Sequence, residues 1–274
     1  MHELNKETEI IQQVLITDLD GTFIPLPNSE KNKRALSVLS AAHADKVFQL
    51  IFCTGRHFAS VAAAMEEYQL PSPDWIICDV GTSIHQNVQN RFPEFKAYNA
   101  HLKDLTLSSS AMELHPLFAD LEGLVLQQDD HQKQFKLCYE CTTEHLPKLM
   151  DQISQRLMQR NVPYDAHGSI DPFLECGLID ILPAGVSKAY AMSWLESEAG
   201  YCSDQVIYAG DSGNDFTALT SGCQAIIVAN ASKGLPEKVM AAAKQSHQSS
   251  RVFLASENAT SGVLEGCQHF GWMT

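Results

Sequence analysis

Basic side chains are scarce in this sequence. Nineteen Lys and Arg stand against 33 Asp and Glu in 274 residues, for a formal charge of -14 at pH 7. A surface that grips nucleic acid or anionic lipid needs clustered Lys and Arg, so neither is expected as a partner, and any anionic ligand must be captured by a few local cations. Long apolar runs are missing as well. No window approaches the roughly 20 apolar residues of a membrane span, and the opening MHELNKETEIIQQ is charged and amphipathic where a secretion signal would be continuously apolar. The expectation is a soluble, cytoplasmic protein. Paired cysteines at metal spacing are also lacking. Of 8 cysteines, Cys53, Cys78 and Cys176 lie in or beside apolar runs, and the lone C-x-x-C, Cys138 and Cys141, has no second pair, so all read as reduced and packed. There is no internal repeat, low-complexity tract or obvious linker.

What is present is a series of short apolar runs: VLITDLD, VFQLIFCTG, DWIICDVG, QVIYAGDSGND and QAIIVANA. Each is short, rich in Val and Ile, and stopped by Gly, Asp or Asn, as the buried strands of a parallel sheet are. Between them lie helix candidates. In SEKNKRALSVLSAAHA a Ser and a Glu precede Ala35, Leu36, Leu39 and Ala42 at helical spacing; HFASVAAAMEEY, SKAYAMSWLESEA and GLPEKVMAAAK are of the same kind. Strand and helix in alternation predict an α/β fold, a Rossmann-like parallel sheet with helices on both faces. Ligands of such sheets bind at the carboxyl ends of the strands, where Asp18, Asp20, Thr54, Asp79, Asp211 and Asn230 would gather.

The middle third differs. A helix-like segment near Leu102 to Leu117, strands GLVLQQ and QFKLCYEC, a helix EHLPKLMDQISQRLMQR and a strand pair around PFLECGLIDILP read as an α+β unit. The expected division is a catalytic core of 1–82 and 183–274 with an inserted cap domain of 83–182, placed to act as a lid.

The gathered residues suggest one chemistry. A carboxylate at Asp18 could attack phosphorus, splitting a very slow hydrolysis into formation and breakdown of an acyl phosphate, and Asp20 could protonate the leaving alkoxide and later deprotonate water. Attack of an anion on a dianionic ester requires cations. Asp211 and Asp215 in GDSGND offer hard oxygens that, with Asp18, suit Mg²⁺. Lys188, at a helix start, could bring a point charge to the phosphate, and Thr54 with the backbone N–H groups that follow, Gly55 first, could bind its oxygens. Each has a plainer alternative: Thr54 as a helix cap, DSGND as a turn, Lys188 as a solvated side chain. Their combination and order favour the catalytic one.

DLDGT, CTGR, the Lys188 helix start and GDSGND, in that order, resemble the four motifs of the haloacid dehalogenase superfamily, and Asp at position 20 resembles its phosphatase branch. The resemblance implies Asp18 as nucleophile, Asp20 as acid and base, and Thr54, Gly55, Lys188 and Asn214 around the phosphate. It implies Mg²⁺ held by Asp18, Asp211 and the backbone carbonyl of Asp20, with Asp215 supporting from behind or through water. The 35 residues between Asp18 and Thr54 leave no room for an inserted domain, whereas the 133 between Thr54 and Lys188 do, which resembles the type II cap. A narrower similarity, carried by ICDVGTSI, QFKLCYE, LIDILPAGVSKAYAMSWL, YAGDSGNDFTAL, IVANA and ASENATSGVLEGCQHFGW, is to sucrose-phosphate phosphatase and its relatives.

That similarity implies hydrolysis of a sugar phosphate, sucrose 6-phosphate or a related glycosyl phosphate, with Mg²⁺ as cofactor. Another phosphometabolite such as mannosyl-3-phosphoglycerate, or a phosphotransferase or mutase reaction, is the alternative. Arg56, His85 and Lys136 are candidate substrate contacts, Arg56 alternatively pairing with an acidic neighbour. The expected assembly is a monomer or small homo-oligomer.

Overall fold

The computed structural model describes residues 13–170 and 176–273; the opening segment read above for targeting signals lies outside these except for Gln13. The chain order is β1 (Gln13–Thr17), α1 (Glu30–Ala44), β2 (Phe48–Cys53), α2 (Phe58–Glu67), β3 (Trp75–Cys78), β4 (Ser83–Gln86), α3 (Lys96–Leu105), β5 (Val125–Leu126), β6 (Leu137–Thr142) and α4 (Leu146–Arg160). It continues with β7 (Tyr164–Ile170), β8 (Cys176–Pro183), α5 (Lys188–Ala199), β9 (Val206–Gly210), α6 (Phe216–Leu219), β10 (Gln224–Ile227), α7 (Leu235–Gln245), β11 (Val252–Leu254) and α8 (Ala259–His269).

The larger sheet runs β11-β10-β9-β1-β2-β3-β4, parallel throughout except for the antiparallel edge strand β4. Its central strands are apolar on both faces because helices cover both. Ile16, Ile51, Ile77 and Tyr208 pack on one side with Met192 and Leu195 of α5 and Val239 of α7. Their strand neighbours Leu15, Leu50, Ile76 and Ile207 pack on the other with Leu36 and Leu39 of α1, Val61 of α2 and Val263 of α8. The five apolar runs are thus the adjacent strands β10, β9, β1, β2 and β3, an α/β core as the alternation predicts. All their carboxyl ends lie on one edge.

A second sheet, β5-β6-β8-β7, is antiparallel. Leu137, Tyr139, Ile179 and Ile181 face α4, whose Leu149, Ile153 and Leu157 recur every fourth position. The alternate residues Cys138 and His167 both stand opposite Asp180 on the other face. Two local expectations differ from the structure. The helix expected over Leu102 to Leu117 is broken: α3 ends at Leu105, Leu107 and Ser108 turn left-handed with φ of 52° and 64°, and a 3₁₀ turn follows over Ala111–Leu117. The serine run Ser108–Ser110 favours local turns. The strand pair around Pro172–Pro183 resolves into β8 and its partner β7, with 171–175 outside the described residues.

Ser83–Gln86 pairs with β3 in the larger sheet, and Tyr98 and Leu102 of α3 pack into the cluster around Ile16, whereas the smaller sheet's own apolar cluster begins at Ala111. The segment 83–182 therefore opens with residues that pack on the core.

Candidate active site

Asp18 follows directly on β1, with extended backbone, and its Oδ1 accepts the Leu19 N–H at 2.8 Å. The chain then turns tightly through Leu19–Phe23, which requires Gly21 at φ 69°; a Cβ there would strike the Asp211 carboxylate. That turn brings Thr22 to donate its hydroxyl to Asp211 Oδ1 at 2.9 Å, while Asn230, beyond β10, donates to the Gly21 carbonyl at 2.7 Å. The distant segments DLDGT, GDSGND and IVANA are thus stitched together by short polar bonds.

Lys188 opens α5 and is fully buried, its Nζ 2.7 Å from Asp215 Oδ1 and 3.0 Å from Asp18 Oδ2. Burial alone would lower its proton affinity, but the two carboxylates hold the ammonium above its ordinary value. Asp215 also accepts Tyr208 Oη on Oδ1 at 2.6 Å, and on Oδ2 the backbone N–H groups of Asp211 and Ser212 and the Ser212 hydroxyl. Burial opposes its ionisation, yet Lys188 and these donors hold its carboxyl below the usual range. With both oxygens so engaged, Asp215 is a charged anchor for Lys188.

Asp211 and Asp18 are different. Burial, then the like charge of Asp215, pushes Asp211 up to about 7. Burial raises Asp18 well above its ordinary value, with Lys188 opposing and the neighbouring aspartates adding to the rise. Ligand atoms of Asp18, Asp211 and Asp215 lie within 4.8 Å of one another. Three crowded carboxyl groups against one ammonium make a negative, all-oxygen pocket of the kind that suits a hard divalent cation. The residues present fit Mg²⁺, with Asp18 and Asp211, which accept fewer hydrogen bonds than Asp215, as the carboxylates to hold it.

Thr54 follows β2, whose register with β1 sets Thr17 opposite Phe52 and so brings Thr54 to the same edge as Asp18. It is 1% exposed, and its Oγ1 accepts the Arg56 N–H at 3.2 Å, a local turn that keeps the plainer capping role alongside any phosphate contact. Gly55 lies against the Asn214 amide, so the CTGR and GDSGND loops meet. Arg56 is paired with an acidic neighbour, and that neighbour is Asp20 itself: Nε donates to Oδ2 at 2.7 Å and Nη2 to Oδ1 at 2.6 Å. Lys136 comes from the smaller sheet's side, is 5% exposed, and donates to the Gly55 carbonyl at 3.3 Å, with Asp79 at 3.7 Å and Asp180 at 3.8 Å.

His85 lies elsewhere. On β4 it stacks on Phe58 at 4.4 Å and bonds the Phe92 carbonyl through Nδ1 at 3.0 Å, with no described contact to the carboxylate cluster. Tyr208 and Thr22 are site residues that the sequence reading missed. The signal for Tyr208 was a phenol inside a strand otherwise wholly apolar, which needs a buried partner.

A doubly covered parallel sheet with a carboxylate, a buried lysine and an acidic pocket at its carboxyl edge defines a phosphoryl-transfer enzyme of the haloacid dehalogenase type. The family described as sucrose-6F-phosphate phosphohydrolase matches residues 11–271. The chain belongs to that family of haloacid dehalogenase phosphatases, which hydrolyse phosphate monoesters. A HAD-like hydrolase of Nitrosococcus oceani is 32% identical over 94% of this chain and 71% of its own length. Mannosylfructose-phosphate phosphatase of Agrobacterium fabrum is 28% identical over 94% of this chain and 97% of its own. In fold, the chain is similar to the sucrose-phosphatase of a Synechocystis species, solved with sucrose and phosphate, with a TM-score of 0.78 and 23% identity over 96% of this chain and all of that one. No described helix is long and apolar enough to cross a membrane.

Proposed function

We propose that this chain hydrolyses a glycosyl phosphate, sucrose 6-phosphate or a related disaccharide-type phosphate, through a phosphoaspartate at Asp18. The observation that carries this is the placement of Asp18, with Lys188 at 3.0 Å on one oxygen and the Asp211 carboxyl beside it. In the first half-reaction an Asp18 oxygen bonds to phosphorus as the bond to the sugar oxygen breaks. Asp20 gives its proton to that departing oxygen. In the second, water attacks the same phosphorus, Asp20 takes its proton, and free phosphate leaves Asp18 unchanged.

Lys188, with Thr54 and the Gly55 and Asn214 region, binds the phosphoryl oxygens, and Asp215 fixes the ammonium in place. When bound at Asp18, Asp211 and the Asp20 backbone, Mg²⁺ would neutralise charge between nucleophile and phosphate. Arg56 acts here by gripping Asp20 and Lys136 by reaching the Gly55 carbonyl; His85 has no part. Inserted residues between about 106 and 182 form the lid. A neutral or mildly charged leaving group suits this acidic chain, and the two related phosphatases act on sugar phosphates by name.

The test is a phosphate-release screen over hexose phosphates, sucrose 6-phosphate, mannosylfructose phosphate and phosphoglycerate derivatives, with Mg²⁺ and then with chelator. A marked preference for a disaccharide phosphate, abolished by chelation, is expected. Transfer of phosphate to a second sugar in place of release would indicate the mutase reaction.

A further inference from the structure

At the seam between inserted unit and core, three side chains that the reaction above does not use converge on one point. His57 caps the amino end of α2 in the core, while Asp130 and His131 sit on the short turn Asp129–His131 of the inserted unit. His57 Nε2 is 3.8 Å from Asp130 Oδ2, and His131 Nε2 is 3.8 Å from Oδ1 of the same carboxylate. The two imidazoles meet edge to face, with centroids 5.6 Å apart. One donor atom from each residue lies within 4.8 Å of the others. These separations exceed hydrogen-bond reach, and none of these donor atoms has a hydrogen-bond partner among the described residues. They are close to the spacing of donors around one ion: ligands about 2.0–2.1 Å from a tetrahedral metal lie roughly 3.3–3.4 Å apart. To close the set, the two 3.8 Å imidazole–carboxylate separations need to shorten by about 0.4–0.5 Å.

We propose that His57, Asp130 and His131 form a transition-metal site that clips the inserted unit to the core. Two imidazoles and one carboxylate select Zn²⁺, Co²⁺ or Ni²⁺ over Mg²⁺, so this site differs in kind from the all-oxygen pocket at Asp18 and Asp211. The His57 Nδ1 accepts the Ser60 N–H at 3.3 Å. Coordination through Nε2 puts the ring proton on Nδ1, so this long capping contact is given up when the ion binds. Lys133, whose ammonium donates to the Asp130 carbonyl, opposes the added charge, and the affinity falls below that of a closed structural zinc site.

The position gives the ion a consequence. His57 follows Arg56, which holds Asp20, and the turn bearing Asp130 and His131 leads into Lys136, which reaches the Gly55 carbonyl. An ion shared across this seam holds the inserted unit down over the acid and the phosphate loop. Substrate entry and product release need that unit to lift, so the bound ion slows turnover. Metal binding stands on the geometry alone; inhibition rests on the phosphatase reading.

The experiment is a Co²⁺ titration of the full chain in excess Mg²⁺, followed by visible absorption, beside Zn²⁺ inhibition of phosphate release. Wild type is expected to bind one equivalent with d–d bands. His131→Gln and Asp130→Asn weaken that binding by at least about tenfold and become correspondingly resistant to Zn²⁺, with unchanged rates in its absence. A Co²⁺ spectrum that is absent, or unaltered by both substitutions, overturns the site. Equal Zn²⁺ inhibition of wild type and variants, or none of the wild type, overturns the clip. Should the chain release phosphate from no sugar phosphate, the proposed function fails while the Co²⁺ titration still decides the site.

Discussion

Arg56 holds both carboxylate oxygens of Asp20 in a fork, at 2.6 and 2.7 Å, and is itself anchored by the Ser60 hydroxyl at 3.0 Å. The fork fixes the direction of Asp20, yet it uses both oxygens as acceptors. One must be released before Asp20 can hand a proton to a leaving group. In the proposed reaction Arg56 is thus a positioning residue for Asp20.

Arg56→Met should therefore slow hydrolysis of a sugar phosphate, whose alkoxide needs a proton, by roughly 10²-fold, the low end of what a positioned acid supplies. It should leave turnover of p-nitrophenyl phosphate, a good leaving group, nearly unchanged. Parallel kcat measurements on the two substrates check this. Equal losses on both would mean that Arg56 acts on the phosphate.

Asp18→Asn should lower phosphate release by roughly 10⁴-fold or more, as removal of a nucleophile does. The fold should survive, because the substitution removes a buried like charge facing Asp211 and Asp215. Phosphate release with Mg²⁺ and a thermal melt by circular dichroism test both halves.

Lys188→Met should destabilise the protein by about 3–5 kcal/mol, because it strands Asp215 and Asp18 as buried carboxyl groups without their cation. Urea unfolding measures this. Adding Asp18→Asn to that variant should recover part of the loss, a coupling that independent sites would not show.

His85 is half-buried against Phe58, and this partial burial lowers its proton affinity below the ordinary 6.5. A histidine depressed in the folded state contributes stability that is fully present above the unfolded value and is lost as pH falls through the folded one. Unfolding free energy should therefore decline as pH drops below about 6.5, and His85→Gln should make that decline shallower. Denaturant midpoints between pH 5 and 8 test the sign; a steeper decline in the variant would contradict it.

Much of this architecture could be read from residues alone, for a physical reason. Strands buried on both faces must be apolar along their whole length, so β1, β2, β3, β9 and β10 announce themselves, and the polar residues that stop them mark the active edge. Edge strands carry a weaker signal: β4 and β11 are short and part exposed, and neither stood out. The DLDGT and GDSGND carboxylates were legible because charge at the end of an apolar strand has no packing explanation. Pairings that span the chain were not. Nothing local to Arg56 says that its partner is Asp20, and nothing in FKLCY says that Lys136 reaches Gly55. His85 looked eligible by position along the chain, but β4 runs antiparallel and packs its ring on Phe58. The His57, Asp130 and His131 cluster joins residues more than 70 positions apart, and only the closed packing of the two units reveals it.

The central claim is a covalent bond at Asp18. Quenching the enzyme during turnover of its sugar phosphate and reducing it at once with borohydride should convert a phosphorylated aspartate to homoserine, read by peptide mass spectrometry. Homoserine at position 18, dependent on substrate and absent from Asp18→Asn, is the predicted result. Reduction at Asp20 or Asp211, or unmodified Asp18 at full turnover, would contradict the account.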